Sequence, residues 1–540
     1  MFPKSMQSLI NDNTPKLNRD LAEGLACKHM TQVEQYVDSI FSSSAGGFPT
    51  GMVYNGYRRC TPQEEYYELT KKKGSRCMFD VARSDVYLVE FMFSYEGEPL
   101  PSKYLLMPFV GDAGSIYLGG SKFTISPILS DRVISVHLTN VFVRLLKARL
   151  TFKRVPQHYM VNSVRESVQV AYGYIYNENS DSGSTSKTVK TYCTLTHYLF
   201  CKYGFHDTFS MFTNCNPVVG TTDTINETTH PQNEWVICNS SCYMSTNKPK
   251  GFSKMYYEPS KICLAIRIEE FTTIVKNLVG GFFYCVDQFP TFILPEYINH
   301  KELWMYLLGQ IIWSPDVNRG KLISDVSDHI ASLDEYVDNI VINKLADIGF
   351  NCTDIYQIFF LIIDKFDEWL LSSGDRVNTM YNKELSILYY VCYEISSSIV
   401  KLCFKLKAAQ KKDINKNKII GIMNKGLKPG LIYKITKDHG EVSTVYTSGD
   451  NKALKATLIL VSQSGSKRNK TKKDRLSLAD PGKRLNASIA EVGSYCGLSK
   501  AEPTGRNKLN LCVKINSTGL ILRNPKYTEL IDNVQNLIRR

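Results

Sequence analysis

No stretch of this chain stays apolar for the ~20 residues that a helix needs to cross a bilayer, and the opening MFPKSMQSLINDNTPKLNRD has no secretory apolar core. The expectation is an intracellular protein with no membrane partner. Also missing are the short motifs of self-contained chemistry. There is no P-loop lysine and no dinucleotide glycine fingerprint, and GGFPTG and VGGFF read as turns. No nucleophile elbow and no HExxH occur. A two-metal polymerase or nuclease centre needs several carboxylates converging on Mg2+, and no compact DxD-type cluster is present. Asp334, Glu335 and Asp338 stand at helical spacing, as on a solvated face. The chain is therefore expected to hold no catalytic residues and no metal ligands of its own.

Cysteine is not scarce, but it is unpatterned. The 15 cysteines are odd in number and scattered singly, which argues against a disulfide framework in an unexported chain. One patch runs through Cys193, His197, Cys201, His206, Cys215, His230, Cys238 and Cys242. Its spacings match no zinc knuckle pair, so core cysteines acting as small hydrophobes are preferred to a structural zinc.

A chain of 540 residues, 43% of them apolar, can bury large cores and points to two to four domains. Residues 50–150 alternate apolar and polar positions, as in YLVEFMFSY, and read as strands with glycine-pair turns. Residues 160–260 read as β-rich again, interrupted by the polar loop NENSDSGSTSKTVK, which is expected to be mobile. From about 264 to 412 the spacing turns helical, in HKELWMYLLGQIIW, SLDEYVDNIVINKLADIGF, TDIYQIFFLIIDKFDEWLLSS and ELSILYYVCYEISSSIVKLCFKLKAAQ. Asp334 and Thr353 stand near helix starts. Strand-like runs return in ATLILVSQ, LNLCVKIN and TGLILRNP, with a hairpin turn at Asn516–Gly519 and a final helix over YTELIDNVQNLIRR. The fold class is mixed α+β and multidomain.

Negative charge is scarce in one place. Residues 401–540 carry 29 Lys+Arg against 10 Asp+Glu, a net +19, whereas residues 1–400 carry 36 against 42, a net −6. A bias this segregated points to a polyanion rather than to a solvated surface alone. Its focus is SQSGSKRNKTKKDRLSLADPGKRLNAS, where Lys467, Arg468, Lys470, Lys472, Lys473 and Arg475 face only Asp474. A Gly/Ser-rich entry precedes them, and Pro481-Gly482 turns into a second pair, Lys483 and Arg484. Each such cation that neutralises a phosphate releases a counterion and adds sequence-independent affinity. A disordered linker is the alternative, but apolar and small residues follow at once and pin the loop at both ends.

These residues stand in an order that resembles the N-terminal half of the β subunit of multisubunit, DNA-dependent RNA polymerases. Gly374-Asp375-Arg376-Val377 with Glu384-Leu385 is similar to the family's GNRRVR…GELL stretch, and Val461-Ser462-Gln463 to its LSQ. Arg475-Leu476-Ser477, Asp480-Pro481-Gly482 and Arg484-Leu485-Asn486-Ala487-Ser488 resemble RRLS, GPGG and RxLHxS. Gly493-Ser494-Tyr495-Cys496-Gly497 and Glu502-Pro503-Thr504-Gly505-Arg506-Asn507 parallel GRVCP and TPEGPN, and Asn516 with Gly519 fits the NEYGF turn. Upstream, Met107-Pro108 and Gly114-Ser115-Ile116-Tyr117 with Gly119-Gly120 look like IPLM…NGTFIINGxERV. The sequence departs from the pattern at Asn486, Ser494 and Glu502. A half-length β of this kind resembles the split β chains of large tailed (jumbo) bacteriophages.

The resemblance implies a β-rich, protrusion-like region at 1–160 and a lobe-like region at 161–370, β-rich and then helical. It further implies a helical return to the protrusion at 371–455 and a fork-loop region with a C-terminal hairpin at 456–540. It implies a subunit of a phage DNA-directed RNA polymerase, a nucleotidyltransferase whose Mg2+-binding aspartates lie in a β′-like partner. The other implied partners are a C-terminal β fragment, a promoter-specificity subunit, the DNA template and the RNA–DNA hybrid. Gln463, Lys467, Arg468, Lys470, Lys472, Lys473, Arg475, Lys483, Arg484, Arg506 and Asn507 would line the nucleic-acid path. The site of action would be the infected bacterial cell, with packaging in the virion left open. Two other readings stay open: a non-enzymatic nucleic-acid-binding phage structural protein, and a stand-alone nuclease-type enzyme.

Overall fold

The computed structural model describes residues 32–71, 86–109, 115–175, 191–240, 260–371, 379–436, 444–446, 458–461, 486–493 and 506–539, less a few short runs within them. The polar loop 177–190 and the basic loop 462–485 lie outside the described residues. The chain forms two compact units. One combines Met1–Val133, Asp338–Lys344 and Asp375–Arg540; the other combines Ile134–Val337 and Leu345–Gly374. The architecture is mixed α and β, as expected.

In the first unit, β-branched and aromatic residues of VYLVEFMFSY favour an extended backbone and make the central strand Val86–Tyr95 of an antiparallel sheet. Met52–Arg59 and Lys103–Pro108 flank it. The helix Val33–Ser43 packs on this sheet, with Phe41 against Phe91 at 5.0 Å between ring centres and against Tyr54 at 5.3 Å. A bulge shifts the register between Tyr54 and Gly56, and Gly56 takes φ +98°, which a residue with a Cβ resists. Further on, Ser115–Leu118, Ser121–Ile125 and Thr444–Tyr446 form a small sheet turned by Gly120. The helix Tyr393–Gln410 buries Ile395, Ile399, Leu402 and Leu406, a stripe at helical spacing, and packs against Lys416–Gly426.

The second unit is built on an eight-stranded antiparallel sheet. Its centre is the long hairpin Arg149–Val161 and Val164–Ile175, closed by Asn162 and Ser163, both at positive φ, as a tight two-residue turn demands. Leu195–Tyr203, Thr273–Gln288, Lys301–Ile312 and Ile355–Leu371 pack together in this unit, and Trp304, Phe200, Phe282 and Tyr159 are fully buried.

Three local expectations change. Residues 195–213 lie in the stretch read as β-rich, yet they form the helices Leu195–Tyr203 and Phe205–Thr213. Every residue from Leu195 to Cys201 is buried, so the first helix is covered on all sides over this stretch and shows no amphipathic period there. Asp334 starts only a short 3-10 turn that follows the helix Arg319–Leu333. The next helix is capped by Asp338, whose carboxylate accepts from Val341 N at 2.9 Å. Beside Thr353 the cap is Asp354, which accepts from Tyr356 N and Gln357 N, while Gln357 returns an acceptor to Thr353 N. Finally, ELS at the head of the last helical stretch is the strand Lys383–Ser386, and its helix starts at Tyr393.

Candidate nucleic-acid interface

Four short segments far apart in sequence meet in one sheet of the first unit. Its order is Lys383–Ser386, Ile128–Asp131, Leu458–Val461, Arg506–Lys508. Leu458–Val461 runs parallel to Ile128–Asp131 and antiparallel to Arg506–Lys508, with Leu460 opposite Arg506 and Ile459 opposite Asn507. The basic stretch 462–485 follows Val461 directly in the sequence.

Opposite charges tie the sheet together. Lys383 and Asp131 face each other across one strand pair and form an ion pair. Glu384, only 2% exposed, accepts from Lys344 Nζ at 2.7 Å. Arg132 follows on the neighbouring strand. Burial lowers its pKa against the opposing pull of Glu384, and its Nη2 donates to the Ile521 carbonyl at 3.4 Å. Leu385 N donates to Gly519 O at 2.8 Å, which seats the 516–519 turn on the sheet. That turn is the expected one: Asn516 Oδ1 accepts from Thr518 N and from Leu520 N at 2.7 Å, and Gly519 takes φ +92°.

The chain is also fastened where it returns from the loop. Asn486 Oδ1 accepts from Ser488 N at 3.0 Å, and the buried Ser488 Oγ accepts from Met380 N at 2.9 Å. The Tyr381 hydroxyl donates to Glu491, and burial followed by that carboxylate raises its pKa. Arg523 lies over the Tyr381 ring at 5.1 Å. The Val492 carbonyl accepts from Asn510 N at 2.8 Å. The described residues among 128–132, 379–386, 458–461, 486–493 and 506–522 thus form a common base on either side of the stretch 462–485.

Of the anticipated contact residues, Gln463, Lys467, Arg468, Lys470, Lys472, Lys473, Arg475, Lys483 and Arg484 lie outside the described residues. The backbones of Arg506 and Asn507 sit on the edge strand Arg506–Lys508. Sequence reasoning overlooked Lys344 and Arg132 as supports of this base. Glu384 and Ser488 were marked only through the resemblance, and nothing in the local pattern pairs Glu384 with a lysine 40 positions earlier.

The described residues of the cysteine patch are core thiols and hydrogen-bonded histidines. Cys193, Cys201, Cys215 and Cys238 are buried free thiols, and burial raises the pKa of each. His197 is buried, which pushes it down to about 4, and its Nε2 donates to the Trp304 carbonyl at 2.9 Å. His230 hydrogen-bonds Thr229 through Nδ1 and packs on Trp235. Cys242 lies outside the described residues. Among the described residues no group of three or more His, Cys, Asp or Glu side chains could hold a metal ion. The two carboxylates of the sheet, Glu384 and Asp131, are each paired with a lysine. No helix among the described residues is long and apolar enough to cross a membrane.

A mixed α/β chain in two compact units, in which the most basic stretch of the sequence follows a strand of a sheet tied by ion pairs, has features that suit a nucleic-acid-handling subunit. The sequence profile described as non-virion RNA polymerase subunit matches residues 2–536. The chain belongs to that family. It is an RNA polymerase subunit, working inside a multisubunit assembly on nucleic acid in the infected cell. No curated protein matches the chain.

Proposed function

We propose that this subunit is the N-terminal, β-like portion of a phage DNA-directed RNA polymerase, with its 462–485 loop against the phosphates of template or RNA–DNA hybrid. The observation that carries the reading is the four-stranded sheet. It gathers Leu458–Val461, Lys383–Ser386 and Arg506–Lys508, each of which includes residues of β-like motifs, beside Ile128–Asp131. The most basic stretch of the sequence leaves from that junction. In this reading Lys467, Arg468, Lys470, Lys472, Lys473 and Arg475 make backbone contacts, Gln463 and Asn507 face the transcript, and Lys483, Arg484 and Arg506 lie nearby. A β′-like partner supplies the Mg2+-binding aspartates and a further chain completes β. The enzyme is made during infection and not carried in the particle, which accords with the family's non-virion description.

The test is a reconstituted polymerase held on an RNA–DNA scaffold. Lys470→Ala, Lys472→Ala and Lys473→Ala together should flatten the plot of log stability against log salt by up to about 2.7, at ~0.9 per lost phosphate contact. The variant complexes should also fall apart at lower salt than the unmodified ones. An unchanged slope would sink the loop assignment. Elongation from the scaffold that proceeds without this chain, with only promoter-dependent initiation lost, would overturn the β-like assignment itself.

A further inference from the structure

A second basic surface lies apart from the loop, on the helices Tyr393–Gln410 and Lys416–Gly426. Residues 393–428 contain nine lysines, no arginine, and only Glu394 and Asp413 as acids, a net +7. The buried stripe of Ile395, Ile399, Leu402 and Leu406 fixes the first helix on its core. At 100° per residue the opposite face is centred on Phe404 and Ala408, with Lys401 and Lys405 on one side and Lys407 on the other. All five are exposed, Phe404 at 61%. The second helix is seated by Ile419 and Met423 and presents exposed Lys425, and exposed Lys428 follows its end. Lys416 pairs with Glu98 at 2.5 Å, and the buried Lys103 binds Asn424 at 2.5 Å, so further positive charge sits on and under the same helix.

Two features set this face apart from an ordinary solvated one. Lys401 and Lys405 are like charges at i,i+4, a spacing that costs an isolated helix a few tenths of a kcal/mol, and no acid is interleaved to offset it. Among the described residues no carboxylate pairs with Lys401, Lys405, Lys407, Lys425 or Lys428. The chemistry also selects the ligand. Base reading relies on arginine and amide forks, whereas lysine is a mobile point charge suited to phosphate. One exposed phenylalanine is no stacking platform for unpaired bases. A rigid helix face carrying lysines one turn, about 6 Å, apart suits a regular backbone.

We infer that the helical pair 393–428 is a sequence-independent contact for the phosphate backbone of duplex DNA. It draws on membership of the polymerase family and on these lysines, not on the β-like assignment. The full-length chain is titrated with a labelled mixed-sequence duplex across a salt series. Lys401→Gln, Lys405→Gln and Lys407→Gln together keep helix propensity and lie on the exposed face, so the unfolding midpoint should not move. If all three contact phosphates, the salt slope falls by about 2.7. The unmodified chain then loses about 40-fold more affinity than the variant between 50 and 200 mM salt.

An unchanged slope on duplex overturns the inference. An equal or larger change on single-stranded RNA of the same sequence overturns the choice of duplex. The same triple change made in the Lys470→Ala, Lys472→Ala, Lys473→Ala background must still lower the slope. If it does not, the helical pair contributes nothing of its own and the loop reading stands alone. A slope on duplex that responds to the helical lysines, with no response to the loop lysines on the reconstituted scaffold, sinks the loop reading and leaves this one.

Discussion

Removing the Glu384 carboxylate should loosen the base of the basic loop far more than its single ion pair suggests. The side chain is 3% exposed and that of its partner Lys344 is 23% exposed, with 2.7 Å between them. Glu384 is also the counter-charge that offsets the desolvation of Arg132. Glu384→Ala therefore strands two partly buried cations. Breaking a buried pair from one side costs about 3–5 kcal/mol. Glu384→Gln keeps an acceptor for Lys344 but loses the charge, and should cost about 1.5–3 kcal/mol. Replacing both partners with Met should recover much of the loss, because the desolvation penalty leaves with the charges; Arg132 limits how complete that recovery is. The reporter is hydrogen exchange at the Leu385 amide, which donates to Gly519 O at 2.8 Å and so opens only when the turn lifts from the sheet. A loss below about 1 kcal/mol for Glu384→Ala would refute the argument. So would a double Met variant less stable than either single one.

Ser488→Ala removes the acceptor of the Met380 amide, so it should cost about 1–3 kcal/mol and speed proteolytic cutting within 462–485. Gly281→Ala would place a Cβ 2.1 Å from Thr196 Oγ1 and 2.6 Å from Thr196 Cβ. Two helices that touch there would be forced apart, at about 1–3 kcal/mol, read as a lower unfolding midpoint of the second unit. Asp287 is raised to about 6, first by burial and against the donors Ser240 and Gln157, from an ordinary 3.8. Between those two values the folded state holds the proton more often than the unfolded one. Asp287 therefore favours folding fully below pH ~4, and that share is lost as pH rises through about 6. Asp287→Asn should flatten this part of the stability profile, and an unaltered profile would contradict it.

Elements whose pattern is local were legible in the sequence. Alternation marked Val86–Tyr95, helical spacing marked Lys301–Ile312 and Ile355–Leu371, and the Asn516–Gly519 turn and the last helix, Pro525–Arg539, stand where expected. The helix from Leu195 escaped because its first seven residues are all buried and leave no exposed face to set a period. The four-stranded sheet escaped for another reason. Strands of three or four residues carry no periodicity of their own, and their partners lie up to about 330 positions away. The charge pairs Lys344–Glu384 and Lys383–Asp131 are likewise products of tertiary closure, invisible until the strands meet. Charge segregation, by contrast, needs no fold to be seen: it marked the basic stretch 401–540 and the loop within it, although the helices of 393–428 stood out only once their exposed face was seen.

The parallel pairing of Leu458–Val461 with Ile128–Asp131 also fixes an order of events during translation. The first strand emerges, and the bulk of another compact unit, residues 134–374, is made before Lys383–Ser386 can join it. At 5–20 residues per second, roughly 20 to 80 s pass between Ile128 and Lys508. Until Leu458–Val461 is made, Ile128–Asp131 has an unpaired edge, and until Lys508 is made so has Leu458–Val461, the kind of surface that recruits wrong partners. The basic loop therefore acquires a rigid base only in chains translated through Lys508. A ribosome that stalls earlier releases a product whose sheet is open and whose lysines have no fixed mounting.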